Sequence, residues 1–304
     1  MLAHNITPVA LLLLAALPGS ACLAAPPASL PWQPTNQQAR HKLDLAEPVL
    51  SGYRRMPALH NSWEYEGHQE KAADAADTMQ QSLALSPSAR AHRSIGLYYL
   101  KQCRYALALK HLKISERGRV RDAIRSAEHG LRMEKLAILR LQPGYALHRS
   151  FGIHVSGHSL WVALSTTSIE KEAAGHPNRV RILVLEDRAD RAQVVWQSPV
   201  LPDIQERGFT ELDLWPLRMT GSKNPELLFL GNCSGGSANP GIAMVYRWNG
   251  KRFRKVLDCD SPEQPLWVED LKHDGRYQVR AVQLVGTEMS HAEQVRWPLV
   301  YAWN

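Results

Sequence analysis

Gly157-His158-Ser159-Leu160-Trp161 places a serine two residues after a glycine, the spacing that begins a nucleophile elbow for acyl transfer. Trp161 occupies the position where a second glycine would relieve crowding, and the flanking residues alternate as in a hairpin rather than a strand-to-helix turn. Ser159 therefore lacks the backbone that would activate it. His154 and His158 share one strand face, as a pair of metal-binding imidazoles could. No cysteine or carboxylate beside them completes a ligand set, so they are expected as surface or turn histidines. No catalytic residue, metal ligand or cofactor site is assigned.

Cys233-Ser234-Gly235-Gly236-Ser237 is similar to the glycine-rich nucleophile loop of trypsin-like peptidases. Asn232 and Cys233 stand where that family has aspartate before serine, and no earlier histidine has the family's context. The glycines fit a flexible loop pinned by a bridge from Cys233 to Cys259, 26 residues on. Such a bridge would stabilise the fold by about 3–4 kcal/mol. Reduced structural thiols are the alternative, and Cys103, inside a helical pattern, is expected as a free buried thiol.

The elements that must position these groups divide along the chain. Residues 1–24 read as an export signal: Val9 to Leu17 is an uncharged apolar core, Pro18-Gly19 breaks it, and small residues follow to Ala24. That core falls short of the roughly 20 residues a bilayer span requires. The expected location is periplasmic or secreted. The alternative is a lipoprotein held to a membrane through Cys22. Residues 25–65 read as an extended linker or irregular segment, 66–148 as helical and 149–304 as antiparallel β. The expected fold class is α+β.

The net charge of +7 is concentrated. Residues 89–150 hold 14 Lys and Arg against 4 Asp and Glu, and the rest of the chain is slightly acidic. Arg117, Arg121, Arg125 and Arg132 interleave with Val120, Ile124, Ala127 and Leu131 at helical spacing. This cationic helix face suits an acidic protein or an anionic envelope component. Nucleic acid is not expected as a partner of an exported chain.

Ala75, Met79 and Ser82 recur as Ala108, Leu112 and Ser115, each 33 residues later. Together with Ile95-Gly96, Tyr99 and Tyr105, the second copy resembles the tetratricopeptide family. Its small residues let two helices approach while its large ones fill the space between them. Cys103 stands where that family has glycine. The resemblance implies a short helical-repeat domain that binds peptides or partner proteins.

In the β half, Val245-Tyr246-Arg247-Trp248-Asn249 returns as Val300-Tyr301-Ala302-Trp303-Asn304, 55 residues on. Asn249-Gly250 is a hairpin signal, and Asp270-Leu271-Lys272-His273-Asp274-Gly275 leads into a strand. These units resemble the FG-GAP or VCBS-type repeats of integrin-like β-propeller blades. About three such units fit, fewer than the four or more of a closed propeller, so an open arrangement is expected. That family's loops bind calcium through carboxylates spaced two apart. Here Lys272 stands between Asp270 and Asp274, so calcium is not expected.

The whole reads as an exported, non-enzymatic binding or scaffold protein acting through protein contacts. Its contact residues are expected among Arg117, Arg121, Arg125, Arg132, Asn232, Ser234, Trp248 and Trp303. Two alternatives remain: a glycan-binding envelope protein using exposed tryptophans, and a hydrolase with an unrecognised site.

Overall fold

The computed structural model describes residues 30–55, 62–115, 120–167, 179–188, 191–201, 211–232, 241–261, 266–272, 274–285 and 295–301. Five helices come first: α1 (Gln37–Arg55), α2 (Ser62–Leu85), α3 (Ala89–Lys101), α4 (Tyr105–Ile114) and α5 (Arg121–Ile138). The helix α1 occupies 19 residues of the expected linker, and α2 begins before its end. Pro48 lies within it and costs a helix interior about 3 kcal/mol. Leu43, Ala46, Leu50 and Tyr53 recur at three and four and bury one face, which offsets that cost. Arg90 of α3 ties α1 down, with its Nε 2.7 Å from a Glu47 carboxylate oxygen.

In the helical hairpin of α3 and α4, the side chains of Ile95, Tyr99, Tyr105, Ala108 and Leu112 are buried as expected. Gly96 faces Leu112 so closely that an added Cβ would stand 2.9 Å from its Cγ. Cys103 closes the turn between the helices at φ +58°, a left-handed conformation that L residues seldom adopt.

Three antiparallel sheets follow. The first contains β1 (Tyr145–Val155), β2 (His158–Thr167), β3 (Val180–Arg188) and β4 (Arg191–Gln197) in chain order. The second contains β5 (Glu211–Leu217), β6 (Glu226–Asn232), β7 (Gly241–Trp248) and β8 (Phe253–Ser261), again in chain order. In the third, β10 (Gln278–Val285) lies between β9 (Trp267–Glu269) and β11 (Val295–Tyr301). The fold is therefore α+β, and among the described residues no sheet closes on itself. Pro216 and Pro298 lie in β5 and β11, both edge strands, where a missing N–H breaks no central ladder.

The sheets stack. Ile153, Val162, Ile182 and Val184 of the first sheet share a core with Leu227, Phe229, Ile242 and Met244 of the second. The intervening residues of β2 and β3, such as Trp161, Ala163, Leu183 and Leu185, turn the other way onto Tyr105, Met133 and Ala137 of α4 and α5. A third cluster joins the far face of the second sheet, through Leu228, Leu230, Ala243 and Val245, with Val279 and Ala281 of the third sheet and with the helices. Central strands buried on both faces read as unbroken apolar runs in the sequence. Cores thus cross residue 148, where the sequence pattern changes from helical to alternating.

Candidate binding cleft

A cleft of about 600 Å³ opens where the helices meet the first two sheets. One wall is aromatic. The Tyr53 and Tyr98 rings lie 5.8 Å apart and those of Tyr98 and Tyr99 5.4 Å apart, and the Tyr98 hydroxyl accepts from Gln102 Nε2 at 2.8 Å. Lys101, at the last turn of α3, donates to the carbonyl of Tyr53 at 2.8 Å and lies 5.0 Å from the centre of the Tyr53 ring. The end of α1 thereby receives a cation beside its terminal carbonyls, a favourable place for one. Burial lowers the pKa of this lysine.

A β-bulge makes the second wall. The pairing of β1 with β2 shifts between Leu147 and Arg149, leaving His148 as the extra residue. His148 Nε2 lies 3.1 Å from the carbonyl oxygen of Leu212. Arg149 Nη1 donates to Asp213 Oδ1 at 2.6 Å, while the guanidinium lies 3.6 Å from the centre of the Trp215 ring. Asp213 also accepts from the amide of Leu214 at 2.9 Å. Desolvation pushes this carboxyl above the usual aspartate range, against the opposing pull of Arg149.

The third wall is α2, where Glu70, Ala73 and Asp77 lie three and four residues apart on one exposed face. The cleft is therefore two-signed. Carboxylates of α2 stand on one side, and Lys101, Arg104, His148 and Arg149 stand on the others. Its volume falls in the range of small-ligand and peptide sites.

A smaller cavity of about 500 Å³ contains His154, Ser159, His129 and Asp187. Ser159 Oγ lies 3.1 Å from His154 Nδ1, because the two residues are cross-strand partners in the β1–β2 hairpin. Among the described residues no carboxylate bonds to His154. Asp187 instead accepts two hydrogen bonds from Arg132 Nη2, at 2.8 and 3.0 Å. His158 contacts Glu186 at 2.8 Å.

The expected contact residues disperse. Arg117, Ser234 and Trp303 lie outside the described residues. Arg121 is exposed, and Arg125 forms a surface pair with Asp122 at 2.7 Å. Arg132 is no open contact, because Asp187 holds it and so fastens α5 to β3. Trp248 is only 8% exposed and packs 5.1 Å from Phe253, so it belongs to the core rather than to a contact surface. Trp161 and Trp215 are buried too. Asn232 is half-buried, and its Oδ1 would touch any Cβ placed on Gly241.

The thiol of Cys259, one half of the expected bridge, is free and buried. Cys233 lies outside the described residues.

The loop at Asp270 closes on itself. Its carboxylate accepts from the amides of Asp274 at 3.1 Å and Gly275 at 2.8 Å, and Asp274 Oδ1 accepts from the amide of Arg276 at 3.0 Å. Lys272 is exposed. Among the described residues no group of three or more His, Cys, Asp or Glu side chains is placed to hold a metal ion.

Sequence reasoning missed the cleft. Lys101, Arg104 and Arg149 entered only as contributions to a charge excess, Tyr99 entered only as helix packing, and Tyr98 did not enter at all. In comparisons with protein-family models, curated proteins and solved structures, the chain matches none. No described helix is long and apolar enough to cross a membrane.

Proposed function

We propose that this chain is an exported, non-enzymatic binding protein whose cleft holds an extended segment of a partner protein. The observation that carries this reading is the two-signed cleft, lined by Glu70 and Asp77, by the aromatic wall of Tyr53, Tyr98 and Tyr99, and by Arg104 and Arg149. A polypeptide supplies both charges and apolar side chains along one strand, which matches such a lining. The tetratricopeptide resemblance of α3 and α4 supports the same reading, because α3 contributes Tyr98, Tyr99 and Lys101. The sequence resemblance of the β half to FG-GAP-type repeats supports a scaffold that presents this site. A random peptide library panned on the protein tests the proposal. Peptides carrying both charge signs should be enriched, and Ala73→Trp, which fills the cleft from an exposed helix position, should remove them. Enrichment unchanged by Ala73→Trp, or no enrichment at all, rejects it.

The hydrolase reading rests on the Ser159–His154 contact. Labelling of Ser159 by a fluorophosphonate would favour it. The glycan reading loses support because Trp161, Trp215 and Trp248 are buried.

A further inference from the structure

A separate concavity of about 830 Å³ lies between the last turn of α5 and the edge strand β4. Leu136, Ala192 and Val194 contribute its apolar lining, and Arg140, Arg188 and Arg191 are its charged residues. Arg188 pairs with Glu186 at 2.7 Å. Among the described residues no carboxylate pairs with Arg140 or Arg191. At the same helix end Leu139 is 77% and Ile138 51% exposed, and Val194 is 41% exposed. These side chains lie largely outside the fold's own cores, whereas Met133 and Ala137 just before them in α5 are fully buried.

We propose that this end of the molecule docks on the surface of an anionic phospholipid bilayer. The headgroup phosphate sits among Arg140, Arg188 and Arg191, and Leu139 and Ile138 enter the acyl boundary. Two features favour a bilayer over an acidic protein. The exposed Leu139 and Ile138 sit on a helix tip, a shape that a fluid interface accepts and that a rigid partner would have to match with a pocket. The chain's cationic excess also lies in residues 89–150, so the molecule's field turns α5 toward a negative surface. The arginines contribute an electrostatic attraction that salt screens, and the buried apolar groups add a part that salt does not screen.

Co-sedimentation of the full chain with vesicles tests the proposal. Phosphatidylcholine vesicles containing phosphatidylglycerol should capture the protein, and phosphatidylcholine alone should not. Arg140→Glu with Arg191→Glu should lower capture by about tenfold or more. Leu139→Asp should weaken it at a position too exposed to disturb folding, which circular dichroism checks. Arg121→Glu with Arg125→Glu, on another part of α5, should weaken it less. The proposal is overturned if neutral vesicles capture the protein equally or if anionic vesicles do not capture it. It is also overturned if the Arg121 and Arg125 variant loses as much as the Arg140 and Arg191 variant, or if soluble polyglutamate displaces the protein as readily as excess lipid does.

Discussion

Glu226 and Gln278 do the same work in successive sheets. Each begins the second strand of its sheet, and each uses a side-chain oxygen to accept the amide of the residue seven positions earlier. Glu226 Oε2 takes Met219 at 3.1 Å and Gln278 Oε1 takes Leu271 at 3.0 Å. The two loops also touch, because the amide of Tyr277 donates to the carbonyl of Arg218 at 2.9 Å. Glu226 is fully buried, hydrogen-bonds Thr220 and faces Arg247 at 3.4 Å. Glu226→Ala leaves buried donors unpaired and should cost about 3–5 kcal/mol. Glu226→Gln keeps the shared bond and should cost roughly 1–2 kcal/mol. Guanidinium chloride midpoints of the two variants measure the difference.

Gly130→Ala sets two effects against each other. Alanine favours an exposed helix by about 1 kcal/mol over glycine. Here its Cβ would stand 2.2 Å from Tyr105 Cδ1. The Tyr105 ring is held, since its hydroxyl donates to the carbonyl of Ser150 at 3.1 Å and its face packs 5.6 Å from Trp161. Overpacking should win, giving a net loss of about 1–3 kcal/mol, read from thermal or denaturant unfolding.

His92 and His111 meet Nδ1 to Nδ1 at 2.9 Å, so one imidazole must donate while the other accepts. Burial lowers both pKa values, with Lys110 adding to the effect on His92, and takes His111 to about 4. The folded state then resists protonation that the unfolded chain accepts near pH 6.5. Stability is fully present above that pH and is lost as pH falls from about 6.5 toward 4. Half-exposure limits the effect to about 1–2 kcal/mol. His111→Gln should flatten this acid limb in a pH series of unfolding midpoints.

Burial, with Asp258 and Asp260 beside it, pushes the Cys259 thiol up to about 12. Thiolate is the reactive form, so the reduced native protein should leave Cys259 unmodified by iodoacetamide at pH 8. Denaturant should expose it to complete labelling, and mass mapping of the peptides follows the change. Labelling of Cys259 in the native state would contradict its burial.

Local signals were legible where the chain's own geometry decides. Asn249-Gly250 forms the β7–β8 hairpin, with Gly250 at φ +95° and Asn249 Oδ1 accepting the amides of Lys251 and Arg252. Tyr246 and Tyr301, related by the internal repeat, fall on corresponding strands of the second and third sheets. Helix α1 was hidden because Pro48 argues against a helix locally, while the burial of Leu43 and Leu50 that favours one depends on distant helices. The cleft was hidden for a similar reason. Asp213 lies 64 residues from Arg149, and neither position carries a local pattern that announces the pair.

Because the outer face of the first sheet rests on α4 and α5, the chain does not offer a clean cut where its sequence changes character. Dissection at residue 148 would strip Trp161 and Leu185 of their cover and Met133 of its counterpart, leaving two fragments with adhesive faces. Anyone expressing either half alone should expect inclusion bodies rather than a working module.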